Sequence, residues 1–133
     1  MKTPDYYQSL PDGMPPQSIR DEFEAILLAP DDMATLPLTE ALYELADRQW
    51  HTYSLLDEAL KGRLEQLLIS RWRDDFEITE NLLSIVSRLG LVGVWEFLLG
   101  LDKQRISAAT REAIDDAVAE MADSIADPYS GMR

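Results

Sequence analysis

The stretch Leu89-Gly90-Leu91-Val92-Gly93-Val94-Trp95-Glu96-Phe97-Leu98-Leu99-Gly100-Leu101 is the most apolar window of the chain, and Glu96 is its one charged residue. A helix that crosses a bilayer needs ~20 apolar residues in a row, so this shorter window reads as a buried turn followed by a buried helix. Immediately upstream, Ile78, Leu82, Ile85, Val86 and Leu89 recur at helical spacing, behind Asp74, Asp75 and Glu77, whose charge suits a helix N-terminus. Gly90 then stands where a helix takes its left-handed C-terminal cap. The window therefore predicts a helix to Leu89, a tight turn, and a second helix over 93–101. That second helix is apolar nearly all round, as one enclosed by others should be.

The upstream helix has a counterpart. Leu38-Thr39-Glu40-Ala41-Leu42-Tyr43-Glu44-Leu45-Ala46-Asp47-Arg48 aligns with Ile78-Thr79-Glu80-Asn81-Leu82-Leu83-Ser84-Ile85-Val86-Ser87-Arg88 at an offset of 40 residues, with Thr, Glu, Leu and Arg identical. A period of ~40 residues is that of helix pairs stacked as in HEAT or armadillo repeats. A helix over 37–49 and one over 55–72 would form the first pair, the latter capped by Ser54 with Asp57 three residues later. Ser18 and Ser107 are suited to cap two flanking helices. The first carries Ile19, Phe23, Ile26 and Leu27 and stops at Pro30; the second carries Ile114, Ala117, Val118, Met121 and Ile125 and stops at Asp127-Pro128.

No segment alternates as a strand would, so the expected fold is all-α, about six helices in stacked antiparallel pairs. Residues 1–17 hold Pro4, Pro11, Gly13, Pro15 and Pro16 and predict an extended arm, pinned by Tyr6, Tyr7, Leu10 and Met14. The helical domain then spans 18–128, and 129–133 form a tail.

Composition narrows the function. The chain has no Cys and one His, which removes disulfides, thiolate chemistry and sites built from several imidazoles. The N-terminus lacks the basic start and apolar run of a signal peptide, so the cytoplasm is the expected compartment. A net charge of −13, from 25 acids against 12 bases, repels nucleic acid and anionic lipid and favours a basic protein partner. Lys61, Arg63, Arg71 and Arg73, close to Trp72, are the one local basic cluster, and in so acidic a chain they read as a solvated face or as internal ion-pair partners.

No glycine-rich phosphate loop and no nucleophile elbow occurs. His51, set among Trp50, Thr52 and Tyr53, reads as structural or simply exposed. Glu112/Asp115 and Glu120/Asp123 are spaced as carboxylates that hold Mg²⁺ on one helix face, but with Asp116 they lie opposite the apolar stripe and should face solvent. The expectation is no enzyme, no cofactor and no metal. Two acidic clusters remain as partner-binding candidates: Asp74, Asp75, Glu77 and Glu80 at the start of one helix, and Glu112, Asp115, Asp116, Glu120 and Asp123 along another. Such surfaces steer a basic partner and reject wrong ones. Trp50, Tyr53, Trp72 and Trp95 are candidate aromatic anchors where exposed.

A short, acidic, cysteine-free chain of paired helices resembles the immunity proteins of bacterial polymorphic toxin systems, including contact-dependent growth inhibition. The helix Ile78–Leu89, the turn at Gly90 and the helix Val94–Leu101 carry the resemblance, about a fifth of the 133-residue chain. It implies a cytoplasmic antidote that binds a cognate toxin domain, commonly a nuclease, and masks its active site or substrate-binding face. An acidic adaptor or a secretion or assembly chaperone would share these properties.

Overall fold

The computed structural model describes residues 3–121 together with Ile125 and Pro128. Among these there are seven α-helices and no strand: α1 Pro4–Gln8, α2 Pro16–Leu28, α3 Thr35–Trp50, α4 Glu58–Arg71, α5 Phe76–Leu89, α6 Val92–Leu99 and α7 Ala108–Met121. Local chemistry accounts for most of the boundaries. Asp57 accepts the Leu60 amide at 2.8 Å and opens α4; Asp75 accepts the Ile78 amide at 3.0 Å and opens α5. Gly90 closes α5 at φ +71°, a left-handed conformation that glycine adopts without penalty. Helix α2 begins at Pro16 rather than at Ser18, because a proline in the first turn gives up only an amide that has no helical partner.

The predicted extended arm contains a helix. Pro4 sits in the first turn of α1, and Tyr7 is buried in the single core cluster, against which Tyr6, Leu10 and Met14 also pack. A five-residue helix does not stand alone. Here the buried Arg48 guanidinium of α3 donates to the carbonyls of Gln8 (3.1 Å) and Leu10 (3.0 Å), and the Tyr6 hydroxyl bonds the Glu22 carboxylate of α2.

Helices α1, α3, α5 and α7 pack one against the next, as do α2, α4 and α6, with α2 also on α3 and α5 on α6. Although α3 meets α5 far more than α4, its expected pair partner, this pattern of two rows is compatible with stacked helix pairs. The aligned segments lie at equivalent places in it. Leu38 and Ile78, Thr39 and Thr79, Leu42 and Leu82, Leu45 and Ile85, and Ala46 and Val86 are all buried. Each of the two aligned arginines reaches back to the preceding helix of its row. Arg48 holds α1 as described; Arg88 pairs with Asp47 of α3 at 3.2 Å and lies over the Tyr43 ring, 5.0 Å from its centroid.

The helix at the centre is α5, between α3 and α7, and not α6. Although α6 is apolar nearly all round, only Val94, Trp95 and Leu98 are buried in it, while Val92 and Leu99 are exposed. Helix α6 ends the α2–α4–α6 row, and an eight-residue helix covered by α4 and α5 on one side keeps an open side whatever its composition. Its own N-terminal residue Leu91 supplies no side-chain cap. Glu65 of α4 does so instead, accepting the Val94 amide at 3.1 Å. This carboxylate lies where a side chain at Gly93 would go: a Cβ there would stand 2.5 Å from Glu65 Oε2.

Three of the four cations of the basic cluster make internal contacts, while Arg73, just past the end of α4, is exposed. Arg63 pairs with Glu24 at 2.9 Å, Lys61 with Glu58 at 3.5 Å, and Arg71 with Asp31 at 3.0 Å while also donating to the Pro30 and Met33 carbonyls. No described helix is long and apolar enough to cross a membrane.

Candidate partner-binding face

Two of the candidate acids hold the fold together. Asp75 is the cap of α5. Asp74 accepts the Ser107 amide (2.8 Å) and hydroxyl (3.0 Å), tying the start of α5 to the start of α7, and the Ser107 hydroxyl in turn accepts the Thr110 amide at 3.3 Å. Hydrogen bonding from Thr110 is the largest influence and holds the Asp74 carboxyl below its ordinary value; burial opposes it, and the Ser107 amide and hydroxyl add to the lowering. Asp115 is also engaged, in an exposed ion pair with Lys103 at 2.6 Å. Glu77 is exposed on α5. Asp123 lies outside the described residues.

The remaining four come together from two helices. Glu80 of α5 and Glu112, Asp116 and Glu120 of α7 rim a furrow along the line where those helices pack. One end is a hollow of about 290 Å³ bordered by Glu80, Leu83, Ser84, Ser87, Ala113, Asp116, Ala117, Glu120 and Met121. The other, of about 220 Å³, shares Glu80, Ala113 and Asp116 and adds Phe76, Ala109 and Glu112. Among the described residues no cation stands within 4.0 Å of any of these four carboxylates. Four negative charges thus line one shallow trough with no internal partner, where they sum into a field that reaches about one Debye length, ~8 Å at physiological salt.

The packing that creates the trough departs from the predicted stripe of α7. Val118 was expected to face the core but is 38% exposed; the buried face is Thr110, Ala113, Ile114 and Ala117. Small residues at Ala113 and Ala117 let α7 lie close on α5, and this rotation brings Asp116 and Glu120 up beside Glu80. The spacing of Ala109, Ala113 and Ala117 is the one sequence signal that points to such a close face. The exposed Phe76 at the furrow's mouth, 47% accessible, carried no signal as the first residue of its helix.

Three of the four aromatic candidates are engaged within the fold. Trp72 donates to Thr79 Oγ1 at 3.1 Å and meets the Phe97 ring edge-on, Trp95 is buried, and Trp50 donates to the Pro128 carbonyl at 3.1 Å. Of the four rings only Tyr53 is exposed, on a backbone at φ +58°. His51 places Nδ1 2.8 Å from the Asp47 carbonyl oxygen. Among the described residues no group of three or more His, Asp or Glu side chains is arranged to hold a metal ion. Glu112 and Asp115, the candidate metal pair, are directed to different neighbours, the furrow and Lys103.

Comparison of the chain with protein-family models, with curated proteins and with solved structures finds no match.

Proposed function

We propose that this protein is an antidote that works by binding: it docks a basic bacterial toxin domain, of nuclease type, on its α5–α7 face and covers the site where that domain would hold phosphate. The observation that carries the reading is the convergence of Glu80, Glu112, Asp116 and Glu120 on one furrow, with no cation paired to them among the described residues, in a chain of net charge −13. A nuclease cleft presents Lys and Arg to a polyanion, and a row of carboxylates is its electrostatic complement. Binding of this kind requires no cofactor, and the proposed setting is the cytoplasm.

The test is a fourfold substitution, Glu80→Gln, Glu112→Gln, Asp116→Asn and Glu120→Gln, which keeps shape and removes charge. Its association with the partner captured from native cells should slow by about 10- to 100-fold at low salt and converge with wild type at high salt. Unchanged association and salt dependence would refute the charge mechanism. The same face would serve a chaperone or adaptor for a basic protein. Restored growth on co-expression with the partner supports the antidote, and a partner without toxicity supports the chaperone.

A further inference from the structure

We infer that the α5–α7 furrow receives a single α-helix of its basic partner, one that carries Arg or Lys at four-residue intervals on the side facing α7; this rests on the reading of that face as the binding face. The α7 wall consists of Glu112, Asp116 and Glu120, four residues apart on one helix. At 1.5 Å rise per residue their Cα atoms follow one another at ~6 Å. A helix laid alongside repeats its own side chains at the same interval, so cations at i, i+4 and i+8 keep register with all three carboxylates. The furrow runs from Ala109 to Met121, which amounts to ~18 Å or about three helical turns.

The floor favours a helix over an extended segment. A strand laid against it would turn backbone N–H and C=O groups toward Ala113, Ala117 and Leu83, which offer no side-chain partners, and only the hydroxyls of Ser84 and Ser87 on the α5 side could pair with them. Ser87 spends its hydroxyl hydrogen on the Ser84 carbonyl at 2.9 Å. A helix satisfies its own backbone, and small floor residues let its side chains sit between α5 and α7 as a helix sits in a groove. Phe76 and Met121 at the two ends give it apolar contacts beyond the row of charge. Charge decides among other occupants: a second copy of this chain would bring a further −13, and nucleic acid and anionic membrane are repelled.

The inference is tested with three synthetic peptides of about 15 residues and near-identical Ala, Gln and Arg composition, titrated into the intact protein and followed by calorimetry and amide shifts. In the first, Arg stands at i, i+4 and i+8; in the second, the same Arg residues are distributed over different faces; the third is the first with a central Pro, which keeps the charges and breaks the helix. The first should bind at least about 10-fold more tightly than either other, with shifts at Ser84, Ala113 and Ala117. Asp116→Asn should abolish that advantage. Equal affinity of all three at the furrow would overturn the helical inference and leave the acidic face standing. Shifts elsewhere, or no binding of the first peptide, would also overturn it. Ordered preference by the peptides combined with failure to protect cells from the partner would refute the antidote reading alone.

Discussion

Gly93→Ala offers a sharp test of how α6 is held, because two effects of similar size oppose each other there. Replacing a glycine near the start of a helix by alanine stabilises it by about 0.5–1 kcal/mol through lower backbone entropy in the unfolded chain. Against this, the new Cβ would stand 2.5 Å from Glu65 Oε2 and displace the carboxylate that accepts the Val94 amide at 3.1 Å. A charge-assisted hydrogen bond left unmade costs about 1.5–3 kcal/mol, and the half-buried position of Glu65 puts this contact at the lower end of that range. The net expectation is a loss of about 1 kcal/mol, or ~4 °C in Tm for a chain of this size. Glu65→Ala removes the obstacle, so in that background Gly93→Ala should become stabilising by about 0.5–1 kcal/mol. The coupling between the two sites, measured by urea or thermal unfolding of all four proteins, should then be about 2 kcal/mol. A stabilising Gly93→Ala in the wild-type background, or a coupling below about 0.5 kcal/mol, would show that Glu65 does not cap α6.

Two further outcomes follow from the same contacts. Gly62, within α4, has open space where a Cβ would stand, so Gly62→Ala should raise stability by about 1 kcal/mol, and a decrease in the urea midpoint would contradict the packing around α4. Asp74 has its folded-state pKa lowered from 3.8, so its stabilising contribution is present above that value and is lost as pH falls through it toward the lower folded-state value. Asp74→Asn should therefore flatten the decline of Tm on acidification below about pH 4 relative to wild type, and parallel acid limbs would refute the link between Asp74 and the start of α7.

Much of the helical architecture was legible because helix ends are written in residues close together in sequence. Asp75 and Gly90 each act within four residues of their own position and sit where such residues should, whereas α4 is capped by Asp57 rather than by Ser54 three residues earlier. The acids of the candidate site were legible as exposed for a similar reason: Glu112, Asp116 and Glu120 lie opposite a stripe that repeats every three to four residues. What that stripe packs against is not a local property. An apolar stripe does not name the helix it meets, so periodicity did not reveal that α7 turns Ala113 and Ala117 toward α5, or that α5 rather than the more apolar α6 lies in the middle.

The short helix α1 is hidden for the same reason. Its prolines signal an arm, and it is the Arg48 guanidinium, 40 residues further along the chain, that accounts for its carbonyls. Sequence by itself determined that this protein is all-α, that α5 opens behind acids and closes at Gly90, that it carries a large negative charge, and which carboxylates face water. Only the tertiary structure decided that Asp74 and Asp115 are engaged in the protein's own contacts, and that Glu80 joins Glu112, Asp116 and Glu120 around a single furrow. The physical reason is that capping and amphipathicity act over one or two turns, whereas the grouping of charges depends on which helix faces meet and at what rotation.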